Sequence, residues 1–289
     1  MAGLSSMAPP AAWARVEPAP WGIRLGVATY TFRNFDRAKV IEMIRQLRTP
    51  WISVKNTPQQ LATDSTREQA REARREFDGA GLKVMSIGNI DMTKAGTVDE
   101  LRPLFELAKN FGAPMMVCAP TLANLKSVEQ LVREYDIRIA IHNHGPEDHH
   151  FPSAQSVLDA VSNLDPRCGL CMDVGHAYRA VRTLHLRESA AARTSETTYP
   201  DDPMNVIALA GARLLDMHIK DLTDLTNRDS QCDVGDGEIP VPAIFQALKK
   251  IGYQGCVDLE YEIHADDPLP GVERSMSYMR GVLAGLAAA

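Results

Sequence analysis

The dominant feature of the sequence is a regular alternation between short β-rich runs and longer segments of helical periodicity. The longer segments place apolar residues three and four positions apart, as Val40, Ile44 and Leu47 do, which is typical of amphipathic helices. Strands that alternate with helices form parallel sheets, so the pattern predicts an α/β fold. The predicted strands are residues 23–31, 51–55, 83–90, 114–119, 137–144, 168–174, 214–220 and 256–261.

The number of predicted elements favours a closed barrel. Eight strands and eight helices within about 265 residues match a single (β/α)8 TIM barrel. The competing architecture, a doubly wound sheet, carries a glycine-rich phosphate-binding turn after its first strand. Here the first strand leads into residues 30–34 (YTFRN), which contain no glycine. The sequence therefore predicts one catalytic barrel domain over residues 21–289.

Two segments depart from this alternation. Residues 1–20 are rich in Ala and Pro and are expected to form a flexible N-terminal arm, because they lack the basic start and apolar core of a signal peptide. A cytoplasmic location is favoured, with export as the alternative if residues 1–20 are the remnant of a processed leader. Residues 178–203, after the sixth strand, are predicted to be a long loop, either a lid or interface element or an insertion without function. Its arginines would form a phosphate pocket if it folded inward.

Composition excludes several classes of partner. Lysine and arginine number 31 against 37 acidic residues, giving a net charge of −6, and no basic run exceeds two residues. A nucleic-acid partner is therefore not expected. No stretch approaches the roughly 18 apolar residues of a membrane span, so no membrane partner is expected either. Assembly into a homo-oligomer is left open. The five cysteines do not indicate a disulfide framework, and Cys168 and Cys171 are predicted to be buried strand residues.

Unusual polar residues collect at the ends of the last four predicted strands. In a barrel of this type the catalytic groups lie at the carboxyl ends of the strands. Residues two apart on a strand point to the same side, so each strand can direct two polar groups toward the barrel mouth. The pairs two apart are His142 and His144, His218 and Lys220, and Glu260 and Glu262, while the sixth strand ends in Asp173 followed by His176.

The chemistry of these residues indicates a metal site. His142, Asp173, His218 and Glu260 supply two imidazoles and two carboxylates, a set that suits one Mn²⁺, Zn²⁺, Co²⁺ or Fe²⁺ ion better than Ca²⁺. Catalytic roles are predicted for Glu260 as base and for His144 or His176 as its partner acid. The predicted substrate-binding residues are Lys55, Lys220 and Glu262, with Glu262 also the rival base.

Five segments, IAIHNHG, LCMDVGH, LLDMHIKDL, VGDGEI and VDLEYE, resemble the xylose isomerase-like TIM-barrel superfamily, and in particular its sugar phosphate isomerase/epimerase branch. The resemblance covers nearly everything after residue 22 and implies a metal site built from strands five to eight and a small carbohydrate substrate. It places the family's metal ligands on Asp173, His218 and Glu260. The family's strand-five glutamate falls on His142, so the familiar Glu-x-His reads His-Asn-His here.

The predicted function is that of a divalent-metal-dependent isomerase or epimerase, which removes the α-proton of a sugar or keto-sugar to form an enediolate. The resemblance implies that family epimerases use glutamates on strands five and eight on opposite faces of the substrate. With His142 that pair is incomplete, so a lyase or hydratase of the inosose dehydratase kind remains the alternative. A non-catalytic sugar-binding barrel and an abasic-site endonuclease are less favoured.

Overall fold

The fold is a closed barrel of eight parallel strands, as the sequence predicts. The computed structural model describes residues 23–188 and 201–288, and the strands follow one another around the ring in chain order until β1 pairs with β10. The barrel strands are β1 (Arg24–Ala28), β2 (Trp51–Val54), β3 (Lys83–Asp91), β4 (Met115–Ala119), β5 (Arg138–His142), β6 (Cys168–Asp173), β7 (Leu214–Ile219) and β10 (Cys256–Leu259). Two further strands, β8 (Asp221–Leu222) and β9 (Gln231–Cys232), form a small antiparallel ladder.

Helices surround the barrel and bury their apolar faces against the strands. In α2, for example, Ala70, Ala73 and Phe77 recur at three- and four-residue intervals and are fully buried. No helix in the described parts of the chain is long and apolar enough to cross a membrane. The helices are α1 (Arg37–Gln46), α2 (Arg67–Gly79), α3 (Val98–Phe111), α4 (Leu125–Tyr135), α5 (Ala154–Val161), α6 (Val174–Glu188), α7 (Pro203–Ala210), α8 (Val241–Lys250) and α9 (Leu269–Ala288).

The prediction of a long loop over residues 178–203 is wrong for residues 178–188, which are helical. Helix α6 begins directly after β6 and continues to Glu188, because Val174, Ala177 and Val181 form a buried stripe at helical spacing. Arg179 is buried on this helix and Arg182 is exposed. Residues 189–200 lie outside the described residues, as do the predicted N-terminal arm 1–20 and the side chains of His185 and Arg187.

Three predicted strands end two or three residues earlier than expected, and the residues beyond their observed ends lie around the barrel mouth. Strand β5 ends at His142, β10 ends at Leu259, and β1 ends at Ala28. His144 and Tyr261, each two residues beyond the end of its strand, find hydrogen-bond partners outside the barrel ladder. His144 N–H donates to the Phe151 carbonyl at 3.0 Å, and Tyr261 N–H donates to Thr31 Oγ1 at 3.0 Å. Leaving the ladder frees these segments to place side chains over the mouth.

The Asp221 carboxylate ties the loop of residues 235–239 to β8. Its Oδ1 accepts hydrogen bonds from the backbone N–H groups of Leu222 and Ile239 at 2.9 and 3.0 Å, and its Oδ2 accepts those of Gly235 and Gly237 at 2.9 and 3.2 Å. A Cβ atom on Gly237 would lie 2.2 Å from Asp221 Oδ1, which explains a glycine there. The segments HIKDL and VGDGEI are therefore joined by hydrogen bonds between Asp221 and the backbone of residues 235–239. These bonds fix the backbone directly after residue 220.

Asp221→Asn tests this anchor. An asparagine keeps one acceptor oxygen but presents an NH2 group to two of the four N–H donors, at a cost of about 1–3 kcal/mol for each donor left unpaired. We expect a lower free energy of unfolding in urea denaturation. The control is Asp236→Asn, the same change at an exposed residue in the same turn. Equal stabilities for the two variants would contradict the anchoring role.

Candidate metal centre

The four residues predicted to bind a metal converge at the mouth of the barrel. His142 ends β5, Asp173 ends β6, His218 lies near the end of β7, and Glu260 directly follows β10. One donor atom from each lies within 4.8 Å of the other three. All four side chains are buried, the most exposed being Glu260 at 7%. Residues far apart in the sequence thus form one compact donor cluster.

The spacing of the donor atoms fits a coordination polyhedron. His142 Nε2 lies 3.2 Å from His218 Nδ1 and 3.6 Å from Asp173 Oδ2, and His218 Nδ1 lies 3.4 Å from Glu260 Oε1. Ligands held about 2.1 Å from one ion at tetrahedral angles are about 3.4 Å apart. The measured distances are close to that edge length, so the cluster is compatible with a divalent ion of the Zn²⁺ or Mn²⁺ kind.

The electrostatics of the cluster also suit a metal. Burial lowers the pKa of His142 well below its ordinary value, and His144 and His218 lower it further, so its imidazole is neutral and able to bind a cation. Burial alone would raise the pKa of Glu260, but Lys220 and His218 outweigh it and hold that pKa well below its usual range. Glu260 is therefore an ionised candidate ligand.

His218 differs from His142 in its proton. Burial lowers the pKa of His218, but Cys171 and Glu260 more than compensate and raise that pKa well above its ordinary value. A metal ion must therefore displace a proton from this imidazole, and binding is coupled to proton release.

Lys220 lies inside the cluster rather than at the cavity wall. Its Nζ is 3.1 Å from Asp173 Oδ2, 2.9 Å from Glu260 Oε2 and 2.6 Å from Glu262 Oε2. The side chain is only 4% exposed. Burial lowers the pKa of Lys220, yet the three carboxylates raise it well above its ordinary value, so the ammonium remains charged.

A cavity of about 850 Å³ opens above the cluster. Its walls include six of the residues predicted to be functional, whereas Asp173, His218 and Lys220 lie beneath it. The candidate ligands therefore form the floor of a space large enough for a small carbohydrate. The six predicted residues are Lys55, His142, His144, His176, Glu260 and Glu262.

His144 has a polar partner on each ring nitrogen. The Asn89 amide nitrogen is 2.8 Å from His144 Nε2, and Asp148 Oδ2 is 3.7 Å from His144 Nδ1. If the amide group donates, Nε2 is an acceptor and the ring proton is on Nδ1, facing Asp148. Burial lowers the pKa of His144, which keeps the ring neutral. Its ring centroid lies 4.6 Å from that of His142, so the two rings are close neighbours at the cavity wall.

His176 supports the cluster as well as lining the cavity. Its backbone N–H donates to Asp173 Oδ1 at 2.8 Å, which helps to orient the candidate ligand. Burial lowers the pKa of His176 to about 3, so the ring is neutral. Arg179 lies 3.3 Å from His176 Nδ1 and pairs with Glu147. This arginine therefore packs behind the cavity wall instead of entering the cavity as a phosphate ligand.

Two residues that the sequence analysis did not select hold the site together. The Asn89 carbonyl accepts a hydrogen bond from Lys55 Nζ at 2.8 Å, while the Asn89 side chain contacts His144. The Gln231 side chain donates to the Glu260 carbonyl and accepts from the Glu262 N–H, both at 2.7 Å. Gln231 thereby replaces a neighbouring strand where β10 has left the ladder. Asn89 lies near the end of the third predicted strand, and this position is the one sequence signal for it. No sequence feature pointed to Gln231.

Comparison with known structures shows the same barrel in several enzymes. A D-tagatose 3-epimerase-like protein shares 15% identity over 92% of this chain and 98% of its own, with a TM-score of 0.68. The 3-keto-D-glucoside 4-epimerase of E. coli shares 15% identity over 90% and 99%, with a TM-score of 0.66. A probable 3-DHS dehydratase from Bacillus anthracis shares 13% identity over 89% and 98%, with a TM-score of 0.64. These likenesses establish the fold.

Among curated proteins, none matches the sequence significantly. The model of the xylose isomerase-like TIM-barrel family matches residues 38–282, which include every strand except β1 and all four candidate metal ligands. The chain therefore belongs to the xylose isomerase-like TIM-barrel family.

Proposed function

We propose that this protein is a divalent-metal-dependent isomerase or epimerase that acts on a sugar or keto-sugar by removing an α-proton. The observation that carries the proposal is the cluster of His142, Asp173, His218 and Glu260, with donor atoms within 4.8 Å of one another at the floor of the cavity. A divalent ion held there would supply Lewis acidity, which acidifies the proton next to a substrate carbonyl.

The residues around the cavity divide the proton transfer between them. Glu260 is ionised and faces the cavity, so it is the proposed base. His144 is the proposed acid. Its neutral ring would first take up a proton, and Asp148, 3.7 Å from Nδ1, would stabilise the imidazolium until the ring donates that proton to the enediolate. His176 is the second candidate for that role. Lys55, which also lies 5.1 Å from the centre of the Tyr30 ring, is positioned to bind a substrate oxygen or the enediolate.

The charge of the cavity favours an uncharged carbohydrate over a sugar phosphate. Three cationic side chains, Arg33, Lys55 and Arg228, line it. Arg33 already donates to the Glu262 carbonyl at 2.7 Å, and Lys55 to the Asn89 carbonyl at 2.8 Å. Lys220 and a bound ion would neutralise Glu260 and Glu262, but the four other acidic side chains still outnumber the three cations and disfavour a phosphate group or abasic DNA as substrate. The acidic residues of the lining are Asp91, Glu147, Asp148, Asp229, Glu260 and Glu262.

A lyase acting on a keto-sugar or cyclitol is the second candidate. His142 stands where the family epimerases to which the sequence is similar carry a glutamate, so β5 contributes an imidazole and not a carboxylate to the donor cluster. A base on one face is sufficient to form an enediolate that then expels a β-hydroxyl group. The structural neighbours include a protein named as a dehydratase as well as two named for epimerisation.

The metal site is tested by titration. We expect purified wild-type protein to bind one Mn²⁺ or Zn²⁺ ion per chain, measured by isothermal titration calorimetry and elemental analysis. Asp173→Ala should weaken binding at least about 100-fold, because it removes a ligand and not only a supporting contact. His142→Glu should keep binding, since a carboxylate replaces the imidazole. Asp229→Ala, at the exposed rim of the same cavity, is the control and should bind normally.

Normal metal affinity in Asp173→Ala, or no binding by the wild type, would contradict this site.

The reaction is tested by following solvent deuterium into candidate ketoses and 3-keto-sugars by proton NMR in D2O. Glu260→Gln should abolish exchange at the α-carbon while some metal remains bound, and His144→Asn should reduce turnover about 10²–10⁴-fold, the usual range for general acid–base catalysis. Glu262→Gln is the comparison variant, because Glu262 is the rival base, lines the same cavity and pairs with Lys220, while its side chain is 39% exposed. Products distinguish the two candidates, because a lyase releases water and an isomerase does not.

The assignment of the base would be reversed if Glu262→Gln abolished exchange and Glu260→Gln left it near normal.

A further inference from the structure

Lys220 places a positive charge among the candidate metal ligands. The ammonium contacts three carboxylates at 2.6–3.1 Å, and two of them, Asp173 and Glu260, are candidate metal ligands. A bound divalent ion and the lysine would therefore share the same two carboxylates. Two cations that share buried ligands repel each other more strongly than they would in water.

The surroundings of Lys220 are built to hold it there. A Cβ atom on Gly175 would lie 2.7 Å from Lys220 Cγ and 2.8 Å from Cδ, so the absence of a side chain at this position makes room for the lysine stem. The backbone after Lys220 is fixed by the four hydrogen bonds to Asp221. These contacts pack the lysine stem against Gly175 and place its ammonium group beside the three carboxylates.

The charges in the cluster balance only when a divalent ion joins the lysine. Asp173, Glu260 and Glu262 contribute three negative charges, and Lys220 contributes one positive charge. Both imidazoles are neutral when they bind a metal. Two negative charges then remain, and one divalent ion neutralises them. A glutamate in place of His142 would leave a further negative charge uncompensated.

We propose that Lys220 is a resident cation of the metal site, which holds Asp173 and Glu260 together when no metal is bound and weakens metal binding by repulsion. This role differs from the substrate contact expected from the sequence. It rests on the proposed metal site, but not on the reaction proposed for it. Lys220 is thus a positioning residue that sets the affinity of the site and keeps the ligands arranged before the ion arrives.

The test compares Lys220→Met with Lys220→Arg. In EDTA, Lys220→Met should melt about 5–15 °C below wild type, because it leaves buried carboxylates without their counterion. With Mn²⁺ or Zn²⁺ alone, its rise in Tm should exceed that of the wild type. Its Kd for Mn²⁺, measured by electron paramagnetic resonance, should be at least about tenfold tighter, because the repulsion is gone. Lys220→Arg keeps the charge, so its Kd should remain near that of wild type.

The control is Lys39→Met, which removes an exposed lysine that pairs with Glu42 on α1 and should change neither measurement. Weaker Mn²⁺ binding by folded Lys220→Met would overturn the proposal, as would an unchanged Tm in EDTA. A Lys220→Met protein that stays unfolded at saturating metal would also overturn it, since the ion should replace the missing charge. If the wild type binds no divalent ion, the proposed function fails, whereas the Tm comparison in EDTA still decides whether Lys220 is the counterion.

Discussion

Burying several ionised groups at one end of a parallel barrel is the constraint on which the site depends. Asp173 is fully buried and Glu260 almost so, and an isolated carboxylate in such surroundings is expensive. Lys220, at hydrogen-bonding distance from both carboxylates, and backbone N–H groups such as that of His176 stabilise these buried charges. The ends of the parallel strands bring the side chains together, and the charges of the carboxylates and Lys220 determine which ligands the site can bind.

Much of the site could be predicted because strand alternation is a strong local signal. Asp173 and His218 pair across β6 and β7, and both belong to a pattern in which polar residues interrupt apolar strands. Placing Glu260 in the cluster needed only the expectation that parallel strands end at the same edge. The fold followed from the same alternation, since each helix buries a face of recurring apolar residues.

What escaped prediction depends on tertiary contacts. Gln231 acquires its role because the β8–β9 ladder folds over the end of β10, and no local pattern in residues 221–232 specifies that contact. Helix α6 was missed because residues 178–188 were predicted to belong to a long loop, although Val174, Ala177 and Val181 recur at helical spacing and are buried against the barrel. The direction of the Lys220 side chain was equally hidden, because strand alternation places it near the mouth without choosing between cavity and carboxylates.

The distribution of the four candidate ligands over β5, β6, β7 and the end of β10 also bears on how the chain folds. The last four strands of the barrel supply the whole set, and the ring closes only when β10 pairs with β1 and β7. A partly folded chain that has formed only its first six strands therefore offers two of the four donors. An ion that binds through all four donors would stabilise the closed barrel much more than partly folded intermediates. It would therefore slow the detachment of any of these strands and so lower the unfolding rate.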